Sequence, residues 1–195
     1  MTSRTRYDRA IALDLEQTCW RTPEPPPGLR MEIIEIGLAE IDLRAGAILR
    51  AESFLVRNTD SPISDYCTEL TGLTQVRIDR EGRPLPEALN RIAKHWPVRS
   101  RPVFTWGDDI AELEAECARK SARTDLFPDR HDLAGLYRAL AQARGDDRPG
   151  SGSGVSVEDA LTSLGLAFEG TPHRAGDDAR NTGRILLEIA RRTWR

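Results

Sequence analysis

The sequence predicts a layered α/β sandwich around one sheet. Apolar strand patterns crowd the first third of the chain, and amphipathic helical periods with one further short strand fill the rest. Length sets the scale: 195 residues, 39% of them hydrophobic, can bury one good core, which fits a single domain.

Taken in order, residues 10–16 read as a buried strand. Thr22 to Gly28, with Pro23 and the run Pro25-Pro26-Pro27, cannot join a sheet interior and forms a stiff loop. Residues 32–43 alternate as a second strand, with Ile34, Ile36, Leu38 and Ile41 as apolar members. A turn at Arg44-Ala45-Gly46 leads to a third strand over 48–56. Pro62 to Thr71 predicts a short helix closed by Gly72, and another helix spans Pro86 to Trp96. Val103 to Trp106 is a short apolar strand after Pro102. Helices follow over 109–120 and 132–143, then Val157 to Leu164 and Arg174 to Arg192. Arg144 to Gly154, rich in Gly, Asp and Ser, is expected as a mobile loop. No internal repeat is visible.

A net charge of −3 gives no broad basic surface, which excludes a non-specific nucleic-acid coat but not an enzyme that grips a few nucleotides. Only Lys94 and Lys120 are lysines, so nearly all positive charge is arginine, suited to phosphate contact although a GC-rich coding bias explains it as well. Cys19, Cys67 and Cys117 lack the close pairing of a disulfide framework or CxxC zinc site, and a reducing cytoplasm is the simplest compartment. The N-terminus lacks a signal peptide's apolar core, and no run reaches membrane-spanning length. A soluble cytoplasmic protein without membrane contact is expected.

Three acidic signals interrupt this apolar pattern. Asp14 and Glu16 lie on alternate residues of the first strand and so project from one side. Two such carboxylates repel one another and resist desolvation, and a divalent cation removes both problems. In the helix over 109–120, Asp109 shares a face with Leu113 and Cys117, whereas Asp108 aligns with Glu112 and Glu116 on the polar face. Asp109 is therefore the inward acid, and Asp108 is expected to cap the helix through its side chain. In the last helix Asp178 aligns with Ala175, Thr182, Ile185, Leu186 and Ile189. Asp177 aligns with Asn181, Arg184 and Glu188, a stripe expected to be solvated. His173, after Pro172, precedes the inward Asp178, and that neighbour makes it a candidate base. Four inward acids and a histidine suit metal-assisted phosphodiester hydrolysis, in which two Mg²⁺ or Mn²⁺ ions about 3.5–4 Å apart activate water and stabilise the leaving oxygen. Carboxylate oxygens match these hard cations, leaving His173 to take the proton.

Asp14-Leu15-Glu16-Gln17-Thr18-Cys19-Trp20, then Thr105-Trp106-Gly107 with Asp109, then His173 followed by Asp178, resemble the three motifs of the DEDD exonucleases with histidine. These are 3′-to-5′ exonucleases of the ribonuclease H-like fold. Ile63 to Thr74 is similar to the branch that trims small interfering RNA and histone-message 3′ ends, and to its bacterial relatives. The resemblance runs from about residue 9 to 192, one exonuclease domain, with residues 1–8 as a short N-terminal extension.

The resemblance implies a mixed five-stranded sheet flanked by helices, with the first three strands antiparallel. It implies Asp14, Glu16, Asp109 and Asp178 as metal ligands for two ions, Mg²⁺ or Mn²⁺, and His173 as general base releasing nucleoside 5′-monophosphates. Contacts to the 3′-terminal nucleotide are implied around Leu15, Thr18, Leu70, Thr71, Gly72 and Trp106, with core roles as alternatives for Leu70 and Trp106, and Trp20 as an alternative stacking surface. The expected partner is a single-stranded 3′ end, RNA favoured over DNA, and no protein partner is indicated. The alternatives are a DNA-trimming or proofreading-type exonuclease and a catalytically inactive nucleic-acid-binding relative. One departure from the family pattern stands out. The additional residue, often aromatic, that usually precedes the third acid is missing, and Gly107 leads directly into Asp108-Asp109.

Overall fold

A computed structural model describes residues 7–145 and 154–193. It contains a five-stranded sheet in the order β3-β2-β1-β4-β5. Strands β1 (Arg9–Gln17), β2 (Ile33–Asp42) and β3 (Ala47–Leu55) form an antiparallel meander. Strands β4 (Val103–Thr105) and β5 (Arg130–Asp132) extend it in parallel from the other edge of β1. The helices are α1 (Asp65–Thr71), α2 (Gln75–Glu81), α3 (Leu85–His95), α4 (Asp109–Arg119), α5 (Leu133–Ala143), α6 (Val157–Ser163) and α7 (Ala175–Thr193). The mixed sheet flanked by helices is the architecture expected from the sequence.

Strand alternation sorts the core into layers. On β1, Ile11 and Leu13 pack into one cluster with Leu89 and Ile92 of α3 and Leu113 and Cys117 of α4. Ala10 and Ala12 face the opposite layer, with Leu133, Leu161, Ile185 and Ile189 from α5, α6 and α7. Asp14 and Glu16 continue the alanine series toward the α7 side. That face of the sheet is built from small residues where α7 crosses it. A Cβ on Gly37 would lie 1.8 Å from the carbonyl oxygen of Ala175, so the start of α7 lies directly on the β2 backbone. Gly37 pairs with Asp14 in register, which places that crossing beside the first acid.

The structure departs from the sequence expectations at several ends. The first short helix starts only at Asp65, because Ser64 caps it by accepting from the Cys67 N–H at 3.0 Å. Gly72 closes it with φ 70°. Helix α2 was not expected. It begins at Thr74, whose hydroxyl accepts from the Arg77 N–H at 3.2 Å, and only Ile78 of it is buried. Strand β5 was not read from the residues either, since Arg130, His131 and Asp132 are all exposed on the sheet edge. The helix expected from 132 begins at Leu133, because Asp132 ends that strand. The expected loop at Arg144 to Gly154 and the extension over 1–8 fall largely outside the described residues. Among the described residues no helix is long and apolar enough to cross a membrane.

Candidate active site

β1 and α7 build the site together. Asp14 and Glu16 leave β1 on the α7 face, and Asp178 sits one turn into α7, which the absent side chain of Gly37 lets settle against β2. Each of the three can offer a carboxylate oxygen within 4.8 Å of the others. Asp109 stands at the first position of α4 and outside that group of three, yet its charge acts on both Asp14 and Glu16. Its Oδ2 is buried with no hydrogen-bond partner among the described residues. A buried carboxylate oxygen without a donor leaves a lone pair available to a cation.

The electrostatics of this cluster are those of acids forced together. Burial first, and then the charges of Asp109, Asp178, Glu16 and Glu35, raise the Asp14 carboxyl well above its ordinary value. Burial, with Asp178, Glu35 and Asp109 adding to it, pushes Glu16 up to about 8, and Arg174 opposes the shift. Burial pushes Asp109 up to about 7, with Glu112, Asp108 and Asp132 contributing. Asp178 rises to about 6, again through burial, held back by the backbone N–H groups of Arg174 and His173. The Arg174 N–H lies 3.0 Å from Asp178 Oδ2. An all-carboxylate, acceptor-only donor set with an orphaned buried oxygen fits hard divalent cations.

His173 is exposed just ahead of α7, in left-handed backbone with φ 61°. Gly107, directly before Asp108-Asp109, also has positive φ (108°) with open space where a Cβ would be, and Thr105 Oγ1 donates to its carbonyl at 2.7 Å. A left-handed glycine turns the chain sharply into α4, which is how the shortened approach still delivers Asp109 to the site.

The nucleotide contacts expected from the sequence fare unevenly. Leu15 points away from the acids and packs, half-buried, against the α3–α4 cluster. Thr18 lies beneath the surface. It is fully buried, and its hydroxyl accepts from the Glu32 N–H at 3.0 Å and donates to the Arg30 carbonyl at 3.3 Å. Thr71 is buried too, its hydroxyl spanning the Cys67 carbonyl and the Leu73 N–H. Gly72 is exposed and Leu70 half-buried, so these two keep surface at the C-terminal end of α1. Trp106 packs against Tyr137 with ring centroids 5.7 Å apart, and its indole N–H donates to the Val155 carbonyl at 2.7 Å.

Three polar expectations are overturned. Asp108 occupies the cap position of α4, but its side chain accepts no capping hydrogen bond. Glu116, expected on the polar face, is fully buried and accepts from the Ile33 N–H at 2.8 Å. Asn181, expected in a solvated stripe, is fully buried and bonds both the N–H and the carbonyl of Glu169, so a loop covers that side of α7. Sequence reasoning missed Glu35 altogether. It lies opposite Glu16 in register on β2 and is fully buried. A glutamate between Ile34 and Ile36, two residues before a glycine, was the available signal.

A family model described as Exonuclease (RNase_T) matches residues 11–96. The 3′-5′ exonuclease Snipper of Drosophila melanogaster is 32% identical over 208 residues, covering 95% of this chain and 70% of that protein. ERI1 exoribonuclease 2 of Mus musculus is 30% identical over 211 residues, covering 95% of this chain but only 29% of the relative. Among solved structures, the nuclease domain of 3′hExo, a DEDDh family member bound to rAMP, superposes with a TM-score of 0.80 at 23% identity. That match covers 97% of this chain and 95% of the other. The chain belongs to this family of 3′-5′ exonucleases, divalent-metal-dependent hydrolases of phosphodiester bonds.

Proposed function

We propose that this protein trims single-stranded RNA from its 3′ end, with Mg²⁺ or Mn²⁺ held by Asp14, Glu16, Asp109 and Asp178 and with His173 as general base. The observation that carries the chemistry is the meeting of Asp14, Glu16 and Asp178, oxygens within 4.8 Å, beside the partnerless buried carboxylate of Asp109. Bound there, a pair of divalent cations supplies Lewis acidity toward the attacking water and the leaving oxygen. The chain's own residues do the rest. The four carboxylates bind and orient, and His173 accepts the proton lost by water as its oxygen bonds to phosphorus. The 3′ oxygen of the preceding nucleotide leaves, and a nucleoside 5′-monophosphate is released. Leu70 and Gly72 retain exposed surface at the C-terminal end of α1, where the terminal sugar and base would approach. Trp106, tied to Val155 and Tyr137, is held three residues before Asp109.

RNA is favoured by the relatives. ERI1 exoribonuclease 2 and human 3′-5′ exoribonuclease 1 are named for it, and a 3′-exonuclease of similar fold was solved with a histone mRNA stem-loop. A similar fold also occurs in E. coli exonuclease I bound to a dT13 oligonucleotide, which makes DNA the comparison arm. The test is degradation of a 5′-labelled single-stranded RNA and its DNA twin with Mg²⁺, Mn²⁺ or chelator, with Asp14→Ala as control. A metal-dependent ladder shortening from the 3′ end, faster on RNA and abolished in Asp14→Ala, is expected. Faster cutting of DNA would overturn the substrate, and turnover by Asp14→Ala would overturn the metal site.

A further inference from the structure

Glu35 is a carboxylate that the hydrolytic scheme leaves without a task. It lies on β2 opposite Glu16 and is fully buried in a neighbourhood already crowded with acids. An apolar side chain would serve packing there better than a buried charge. Its oxygens accept three hydrogen bonds, all from the segment that follows His173. Arg174 Nη2 donates at 2.7 Å, Arg174 Nε at 3.2 Å and the Ala175 N–H at 3.0 Å. The guanidinium thus meets the carboxylate as a fork, a geometry that lysine cannot copy.

Only the backbone of His173 is held, its N–H donating to Asp178. Its ring is exposed, and its backbone sits at φ 61°, sparsely populated for any residue but glycine. A strained conformation persists only where its surroundings fix it. Here the next residue is pinned at both ends. The Arg174 N–H is bonded to Asp178 Oδ2, and the Arg174 guanidinium to Glu35 on the central sheet. Relaxing the His173 backbone would turn the following peptide and pull the fork off its carboxylate.

We propose that the Glu35–Arg174 pair is a positioning clamp: it ties the residue after His173 to β2 and so fixes where the imidazole can reach. The inference rests on His173 acting as general base. Neither Glu35 nor Arg174 is required to touch substrate or metal.

The test is a double-mutant cycle on single-turnover cleavage of the labelled RNA, combined with calorimetric Mn²⁺ titration and melting curves for each variant. Arg174→Met and Glu35→Gln break the fork, and Arg174→Lys keeps the buried charge paired if the others melt early. In the wild-type background each is expected to slow cleavage, on the order of 10²-fold for loss of the fork and less for Arg174→Lys. Mn²⁺ affinity should change by less than about tenfold, through the charges that Glu35 and Arg174 place near Glu16, and so fall well short of the loss in rate. In a His173→Ala background the same substitutions should change the rate by less than about twofold, because the residue they position is gone. Equal losses in both backgrounds, or a fall in Mn²⁺ affinity matching the fall in rate, would overturn the clamp while leaving the base intact. Full activity in His173→Ala alone would overturn the base, and the clamp with it.

Discussion

Each acid at the centre of this protein is unfavourable where it stands until a cation joins it. Glu16, Asp109 and Asp178 sit at about 8, 7 and 6 in the metal-free protein, and Asp14 is also well above the ordinary range. Unfolded carboxyls titrate near about 4. Between that value and about 8 the folded chain therefore holds more protons than the unfolded one, and stability falls as pH rises. In chelator, the melting temperature should increase as pH is lowered from 8.5 to 5.5, and a decrease would contradict the burial of the cluster. Saturating Mn²⁺ should reverse the trend, since it binds only the deprotonated carboxylates and stabilises most at the alkaline end. The neighbouring aspartates offer a sharper contrast. Asp109→Asn should lower the cleavage rate at least about a hundredfold, and Asp108→Asn, exposed and without a capping bond, should stay within about twofold. Equal losses would show that helical phase does not select the ligand.

Among the elements, α7 and β2 carry the site's geometry, and their contact is backbone on backbone at Gly37. Gly37→Ala places a methyl 1.8 Å from the Ala175 carbonyl oxygen. The helix must then lift, and Asp178 moves with it. A displacement of about 1 Å at a reacting centre costs on the order of 10²-fold in rate, so cleavage should collapse while circular dichroism still shows a folded α/β protein. Gly46→Ala is the matched control. It faces open space in the β2–β3 turn at φ 66°, and should cost about 1 kcal/mol of stability with no change in cleavage. These elements also show what the sequence made legible. The alternation of Ile11, Leu13, Ile36 and Leu38 marked the strands because each has one apolar neighbour layer, and the phase of Asp178 marked the inward acid for the same reason. α2 and β5 escaped because one buries a single residue and the other none. Glu116 and Asn181 misled because a helical face reports polarity, and polarity cannot tell solvent from a backbone N–H that needs an acceptor.

Over the whole molecule, the segment leading into β2 is fastened to the C-terminal end of α4 by a second set of buried charges. Glu32 is fully buried, accepts from the N–H groups of Thr59, Asp60 and Ser61, and pairs with Lys120 at 2.6 Å. Lys120 also pairs with the buried Glu116 at 3.1 Å, one lysine serving two carboxylates. Lys120→Met leaves Glu32 without its cation and Glu116 with only Arg119 at 3.7 Å, and should cost about 3 kcal/mol, read as a lower urea midpoint. Cleavage below the transition should be unchanged, and a loss of activity without loss of stability would mean this network reaches the site.

The placement of Asp178 on α7 gives the enzyme a timing property. Asp14 and Glu16 leave the ribosome near the beginning of this domain's synthesis, and Asp178 follows only after every strand has been made. Until α7 emerges and lies down on Gly37, two of the three clustered carboxylates face a gap, and His173, made just before that helix, has no Asp178 beside it. A nuclease assembled in this order stays inert for nearly the whole of its synthesis, and can cut only once its last helix has docked.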